Sequence, residues 1–366
     1  MKRLTIFSSF IFLFITSYAQ QTTTNLNVNK VYYPSYSSDE RTAIVFPKVN
    51  GYEVLTCDFH SHTMFSDGLV WPTLRVSEAW SQGLDAIAIT DHIEYRPFRK
   101  FTNDDHNTSY NIAKETADEF GFMLIKGSEI TRKQSVFGHF NALFIKDANT
   151  LDVKDPKEAL REARKQGAFI IWNHPGWAVD STYIRTFQQE VIDEGLVDGI
   201  EVFNNHEFYP RVMKWAIEKG LTIIAASDVH GNVEKSSLEK YKTHRPMTLV
   251  FAKERTLEGI LEALKSGRTL AYFHNTLAGK KDLARNFVIA SIKVSQIEKD
   301  TENTSYSLIN QSDFTFKINL GEKEIELPAL SKIVITVPNN TSSAKLVFNN
   351  IFVQENRVLA HDLQLK

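Results

Sequence analysis

Cysteine occurs once in this chain, at Cys57, which excludes an intramolecular disulfide framework, a Cys-rich zinc site and an iron–sulfur cluster. Thiolates therefore carry none of its chemistry. No charge of one sign dominates: 42 Lys and Arg stand against 44 Asp and Glu. A net charge of −2 argues against an electrostatic binder of long nucleic acids, which would show a basic excess or stripe. No apolar run reaches the ~20 residues of a membrane-spanning helix. With 16 Gly and 10 Pro, the chain is neither collagenous nor of low complexity, and no glycine-rich phosphate loop follows its first apolar run. What is present is ample: 366 residues, 42 % of them hydrophobic, suit two or so domains with a core of barrel size.

The N-terminus reads Met1-Lys2-Arg3, an apolar stretch from Leu4 to Thr16, then Ser17-Tyr18-Ala19. A basic start, a short apolar segment and small residues before a cut after Ala19 form the pattern of a secretory signal peptide over residues 1–19. Ser8, Ser9, Thr16 and Ser17 dilute the run, which weighs against the alternative, a membrane anchor. No cysteine follows for lipid attachment. The mature protein is expected to be periplasmic or secreted, with no stable membrane insertion. Residues 20–45 are polar and aperiodic, an arm leading into the first domain.

From about residue 46 to 278, short apolar runs alternate with amphipathic stretches. Apolar runs such as Glu53–Cys57, Leu84–Ile89, Phe140–Ile145, Ala168–Trp172 and Leu221–Ala226 alternate with helix-like segments such as Pro72–Gln82, Pro156–Gln166 and Pro210–Lys219. Proline opens several of these helices, and glycine closes them at Gly83, Gly121, Gly167, Gly220 and Gly267. The alternation predicts an α/β fold of parallel β/α units, most simply a closed barrel, with an open doubly wound sheet as the alternative. After Gly279 helix signals stop and alternating runs appear, starting with Phe287–Ile297. Residues 279–366 are predicted to form a small antiparallel β domain.

Six of the 11 histidines fall at the C-terminal ends of predicted strands or just beyond. His60 and His62 follow the first strand, with Asp67 nearby. His92 follows the second strand and Glu129 the third, with His139 ten residues further on. His174 ends the fifth, and Asp228 with His230 ends the seventh. A His-x-His pair in extended chain aims both rings to one side. Strand ends of one polarity form a single rim in a β/α barrel, and active sites assemble there. Six imidazoles and three carboxylates are too many ligands for one ion, so a cluster of two or three divalent metals is expected. This mixed donor set suits zinc, manganese or iron alike.

Taken in order, Asp58-x-His60-x-His62-Thr63, Ser66-Asp67-Gly68, Thr90-Asp91-His92, Gly127-Ser128-Glu129, Asn173-His174-Pro175 and Ser227-Asp228-x-His230 resemble the motif set of the PHP (polymerase and histidinol phosphatase) superfamily. The resemblance spans residues 52–275 and implies a distorted (β/α)7 barrel, a trinuclear metal site and phosphoester hydrolysis. Carried over by position, one ion would bind His60, His62, Glu129 and Asp228. A second would share Glu129 and add His139 and His174, and a third would take Asp67, His92 and His230.

Such a cluster would activate water near neutral pH and offset charge on the phosphoryl oxygens, with Glu129 and Asp228 central to catalysis. Asp58 and Asp91 are expected to orient ligand rings, with an ordinary strand-end hydrogen bond as the alternative. Arg96, Arg132, Lys133, Asn173, Asn204 and His206 follow strand ends and are candidates to hold a phosphate oxygen. His206 is also a candidate to protonate the leaving group. Trp177 and Phe208 are candidate pocket walls. The expected substrate is a small phosphate ester, and the layout resembles secreted PHP phosphodiesterases. A phosphomonoesterase or nucleotide phosphatase, a metal-dependent amidohydrolase and a periplasmic binding module are the alternatives. The sequence carries no signal of oligomeric state.

Overall fold

Local sequence explains the element ends directly. Asp155 accepts a hydrogen bond from Lys157 N at the start of α3 (Pro156–Lys165), Glu158 lies in its first turn, and Arg164 and Lys165 lie in its last, all favourable to the helix dipole. Thr256 caps α6 (Leu257–Lys265) through Gly259 N. Each helix buries one stripe, as Ala159, Leu160 and Ala163 do in α3. The computed structural model describes residues 41–233 and 244–365. The signal peptide expected over residues 1–19, and most of the 20–45 arm, lie outside the described residues.

The remaining helices are α1 (Pro72–Ser81), α2 (Thr108–Glu119), α4 (Thr186–Asp193), α5 (Pro210–Lys219) and α7 (Lys281–Ser291). The main sheet starts with β1 (Glu53–Asp58), β2 (Ala86–Ile89), β3 (Met123–Thr131), β4 (His139–Leu143), β5 (Phe169–Asn173) and β6 (Gly199–Asn204). It continues with the short β7 (Glu207–Phe208), β8 (Thr222–Ala226), β9 (Met247–Ala252), β10 (Thr269–Phe273) and β11 (Thr276–Gly279). β1, β2 and β3 pair in parallel, as do β5, β6 and β8. β8 also bonds sideways: Ala225 N donates to Thr248 Oγ1 of β9, and Thr269 Oγ1 of β10 donates to Ile223 O. Almost every position of these strands is buried, as expected of strands covered on both faces.

Two features depart from the predicted parallel β/α units. β4 pairs antiparallel with both β3 and β5, and β9 pairs antiparallel with β1, so the sheet is mixed. The Arg132–Gly138 connection is too short for the crossover that a parallel pair requires. Helix also continues past Gly279: Ala284, Phe287, Val288 and Ser291 form one buried stripe of α7 where the sequence reading placed a strand. That stripe has a period near 3.6, which a search for alternation passes over.

Beyond α7, β14 (Phe316–Leu320), β15 (Lys323–Leu327), β17 (Ser343–Gln354) and β18 (Arg357–Gln364) extend the main sheet, since β17 pairs in parallel with β11. β12 (Ile292–Lys299), β13 (Asn303–Asn310) and β16 (Lys332–Pro338) make a separate antiparallel sheet. Residues Glu40–Lys366 cluster as one compact unit. Among the described residues no helix is long and apolar enough to cross a membrane.

Candidate metal centre

β1, β2, β5, β6 and β8 all leave the sheet at the same rim, and the ends of β1 and β8 are tied together there. Asp228 N donates to His60 O, and His62 N donates to Val229 O. β2 and β3 join them through the bridge between His92 and Glu129. The hairpin of β3 and β4 sets His139 opposite Thr131 and beside Asn173, which precedes His174. Segments distant in sequence thus deliver their side chains to one place.

The structure brings all nine predicted ligands together. His62, Asp67, His92 and His230 each offer an atom within 4.8 Å of the others, and so do Glu129, His139 and His174. Two further groups, His60 with His62 and Glu129, and His60 with His174 and Asp228, link these. The two oxygens of Glu129 face different partners. Oε2 lies 3.2 Å from His60 Nε2, 3.4 Å from His62 Nε2 and 2.9 Å from His92 Nδ1, while Oε1 lies 3.0 Å from His139 Nδ1. Asp228 Oδ1 stands 3.0 Å from His62 Nε2 and 3.2 Å from His60 Nε2. Asp67 Oδ1 stands 3.2 Å from His230 Nε2.

These contacts fit metal ligation better than a hydrogen-bonded core. Glu129 Oε1 and Asp67 Oδ1 are buried and make no hydrogen bond, although imidazole nitrogens lie close to both. Lone pairs left unused in a buried site are costly unless something else takes them. Imidazole nitrogen and carboxylate oxygen are the donors that a divalent ion takes. Two ligands also hold left-handed backbone, His174 at φ +26° and Asp228 at φ +51°, a conformation retained at functional sites when the surrounding fold enforces it.

Electrostatics follow from this crowding. Burial opposes charge on His92, yet Glu129 and Asp67 outweigh it and carry its pKa up to about 10. His60 is held well above its usual value, burial being overcome by Asp228, Glu129 and Glu201. His62 goes the other way, down to about 4, because burial combines with repulsion from His92 and His230. Against the cost of burial, neighbouring histidines hold Glu129 well below the usual carboxylate range, and Asp67 and Asp228 are lowered similarly.

Behind the ligands lies a supporting layer, part of which sequence reasoning missed. Glu201, in the middle of buried β6, accepts from His60 Nδ1 at 2.9 Å, from His174 N at 2.6 Å and from Asn204 Nδ2 at 2.8 Å. It fixes the His60 tautomer and leaves Nε2 as the ligating atom. A lone acid inside the apolar run Gly199–Phe203 was the available signal, since charge is buried only with a partner. Glu201→Gln is expected to weaken metal affinity about 10–100-fold while leaving the fold intact. Metal titration of the stripped variant, with circular dichroism as control, checks this.

Arg75, buried on α1, is a second residue that was missed. It donates to His62 O, His230 O and Gly231 O and pairs with Glu78. Gly68 sits so close to the His62 main chain that an added Cβ would come within 2.6 Å of it. Burial also pushes the Cys57 thiol up.

The other candidates divide. Asp58 and Asp91 touch no ligand ring. Asp58 accepts from Ser227 N and Oγ and pairs with Arg245 at 3.0 Å, bracing the β1 and β8 ends. Asp91 accepts from Thr63 and from Ser66 Oγ, and Ser66 Oγ in turn lies 3.3 Å from His62 Nδ1. Arg96 is spent on Phe65 O, Asn103 O and Asp104 O. Arg132 turns to Val153 O and Thr131 O and pairs with Glu94. Both arginines brace loops and do not converge on the centre, because main-chain carbonyls left unpaired by irregular loops take their donors. Asn173 is fully buried, its Oδ1 accepting from Asn141 N and its Nδ2 unpartnered. Asn204 binds Glu201. Lys133 is exposed. Trp177, 48 % exposed, stands over the site with its ring 5.3 Å from His174 and 5.7 Å from His139. His206 and Phe208 lie instead at a neighbouring aromatic cavity.

No protein-family model and no curated protein matches the chain. Among solved structures, it is similar to a two-domain protein from Bacteroides vulgatus containing a predicted PHP-like metal-dependent phosphoesterase. That likeness has 40 % identity and a TM-score of 0.86 and covers 90 % of this chain and 100 % of the other. A putative metal-dependent phosphoesterase from Bifidobacterium adolescentis is more distant, with 18 % identity, a TM-score of 0.41 and coverage of 57 % of this chain and 96 % of that one. With nine ligands converging on one rim and identity of that level over nearly the whole chain, the protein belongs to the PHP-like metal-dependent phosphoesterases.

Proposed function

We propose that the protein hydrolyses small phosphodiesters at a cluster of two or three divalent ions, outside the cytoplasm. The observation that carries this reading is the convergence of six imidazoles and three carboxylates whose buried Glu129 Oε1 and Asp67 Oδ1 have no hydrogen-bond partner. Ions bound there would supply Lewis acidity, lowering the pKa of water and offsetting phosphoryl charge. The chain's own residues do the rest. Glu129 spans two ligand groups with its two oxygens and so sets their separation. Glu201 holds His60 in one tautomer, and Asp91 steadies His62 through Ser66 Oγ. Trp177 covers the His139 and His174 side and limits water there. His206 is our candidate to pass a proton to the leaving oxygen.

We read the mixed sheet as the distorted barrel expected of the family, with residues 279–366 as an added β module. The side-chain bonds from β8 to β9 and β10 support a closed ring. Export rests on the signal-peptide pattern of residues 1–19. The preference for diesters rests on the resemblance to secreted phosphodiesterases.

Metal analysis should be paired with turnover of bis(p-nitrophenyl) phosphate and p-nitrophenyl phosphate, with and without added Mn²⁺ or Zn²⁺. Two to three ions per chain and faster diester turnover are the expected result. Faster monoester turnover would select a phosphomonoesterase. A metal-loaded protein inert towards both esters would overturn the proposal and turn attention to acyl substrates or to binding alone.

A further inference from the structure

Beside the metal centre two tight hairpins stand on the same rim. β6 turns into β7 through Asn205 and His206, and β10 turns into β11 through His274 and Asn275. Asn205, His274 and Asn275 all hold left-handed backbone, which such two-residue hairpin turns require. Each hairpin carries an exposed histidine in its turn and a phenylalanine at its shoulder, Phe203 in one and Phe273 in the other. Between them lies a cavity of about 320 Å³. That is at the lower end of the roughly 300–1,000 Å³ of small-molecule pockets.

The walls of the cavity are mostly aromatic, with Glu207 and Thr276 completing the lining. Phe203 stacks on Phe208 with ring centres 4.4 Å apart, Phe273 stands 6.3 Å from Phe203, and His206 stands 6.1 Å from Phe273. Phe352 of β17 backs Phe208 at 5.2 Å. Phe203 and Phe273 are buried and Phe208 is half-buried, so a further ring would meet an apolar wall built from their exposed edges.

Strand polarity places this cavity next to the reacting centre. β6 and β8 are parallel, and Asn205 N donates to Ala226 O, two residues before Asp228. β10 is antiparallel to β9, which is antiparallel to β1, so β10 runs with β1 and its end at Phe273 reaches the ligand rim. Phe203 and Phe273 therefore flank the end of β8, where the chain runs into Asp228. A phosphoryl group held by the metal ligands would have this aromatic cavity as its neighbour.

We infer that the cavity between the β6–β7 and β10–β11 hairpins is a subsite for an aryl substituent of the phosphate ester. The inference rests on the phosphoesterase reading and sharpens its substrate class. The cavity is concave, mostly apolar and framed by two histidines, and an aryl ring fills such a wall more completely than an alkyl chain does.

Phenylphosphonate and methylphosphonate share the anionic group and differ in the ring alone. Calorimetric titration of the metal-loaded full-length protein with each is the test. The phenyl compound is expected to bind at least about tenfold tighter, or ~1.4 kcal/mol. In Phe273→Ala, and in Thr276→Trp, which fills the cavity from its edge, that preference should fall to within about twofold, with methylphosphonate affinity retained. Equal binding of the two by a protein that hydrolyses esters would overturn the subsite and leave the phosphoesterase reading standing. A preference that survives Thr276→Trp would overturn it as well. If no ester is hydrolysed and neither phosphonate binds, both readings fall together.

Discussion

Glu129→Ala is expected to abolish turnover by on the order of 10³-fold or more and to lower the number of ions retained per chain. The magnitude follows from the several kcal/mol of transition-state stabilisation that metal ions contribute, at about 1.4 kcal/mol per tenfold. Glu129 is the residue whose two oxygens reach both the His60, His62 and His92 side and the His139 side, so no neighbour replaces it. Removing it also leaves five imidazoles, those of His60, His62, His92, His139 and His174, crowded without their central counter-charge. Metal content by mass spectrometry, read beside kcat with saturating Mn²⁺ or Zn²⁺, decides the matter. A variant that keeps its full metal complement and loses less than about tenfold in rate would remove Glu129 from the bridging position.

Stripped and metal-loaded protein should respond to pH with opposite sign. In the stripped fold His92 titrates near 10 against a usual value of 6.5, and His60, His174 and His230 are raised as well. Groups raised in the fold stabilise it when protonated. Their contribution is complete below about 6.5 and is lost as pH climbs through the raised values, towards 10 for His92. The lowered carboxylates of Glu129, Asp67 and Asp228 act conversely: their contribution is present above about 4 and is lost on further acidification. The Tm of the stripped protein should therefore decline from pH 6.5 towards pH 10.

Metal reverses this trend, because protons and ions compete for the same nitrogens and affinity rises as the imidazoles deprotonate. Binding adds stability in proportion to the logarithm of ligand over Kd. The loaded protein should gain Tm between pH 5 and pH 8, and metal binding at pH 7 should release protons, visible as heats that depend on the buffer's ionisation enthalpy. Parallel pH profiles for the two forms would show that the imidazoles are not the titrating ligands.

Much of the centre was legible because metal chemistry restricts residue types. Only His, Asp, Glu and Cys bind such ions well, and with Cys57 buried inside β1 the choice narrows to imidazole and carboxylate at strand ends. Supporting residues were less legible. Glu201 and Arg75 serve through hydrogen bonds to ring nitrogens and main-chain carbonyls, and such partners are set by packing in three dimensions. Arg96 and Arg132 show the reverse error, since a cation after a strand end has the correct chemistry for phosphate yet bonds the carbonyls of its own loops.

The sequence by itself marked the nine side chains that meet on the rim and most of the strand and helix alternation up to α6, because these depend on residue type and local period. Tertiary structure alone decided the antiparallel insertion of β4 and β9 and the pairing of β17 with β11 that carries the C-terminal strands onto the main sheet. It also decided the aromatic cavity between two hairpins far apart in the chain. Strand direction, register and cavity shape arise from which surfaces bury one another, and a chain read residue by residue does not contain that information.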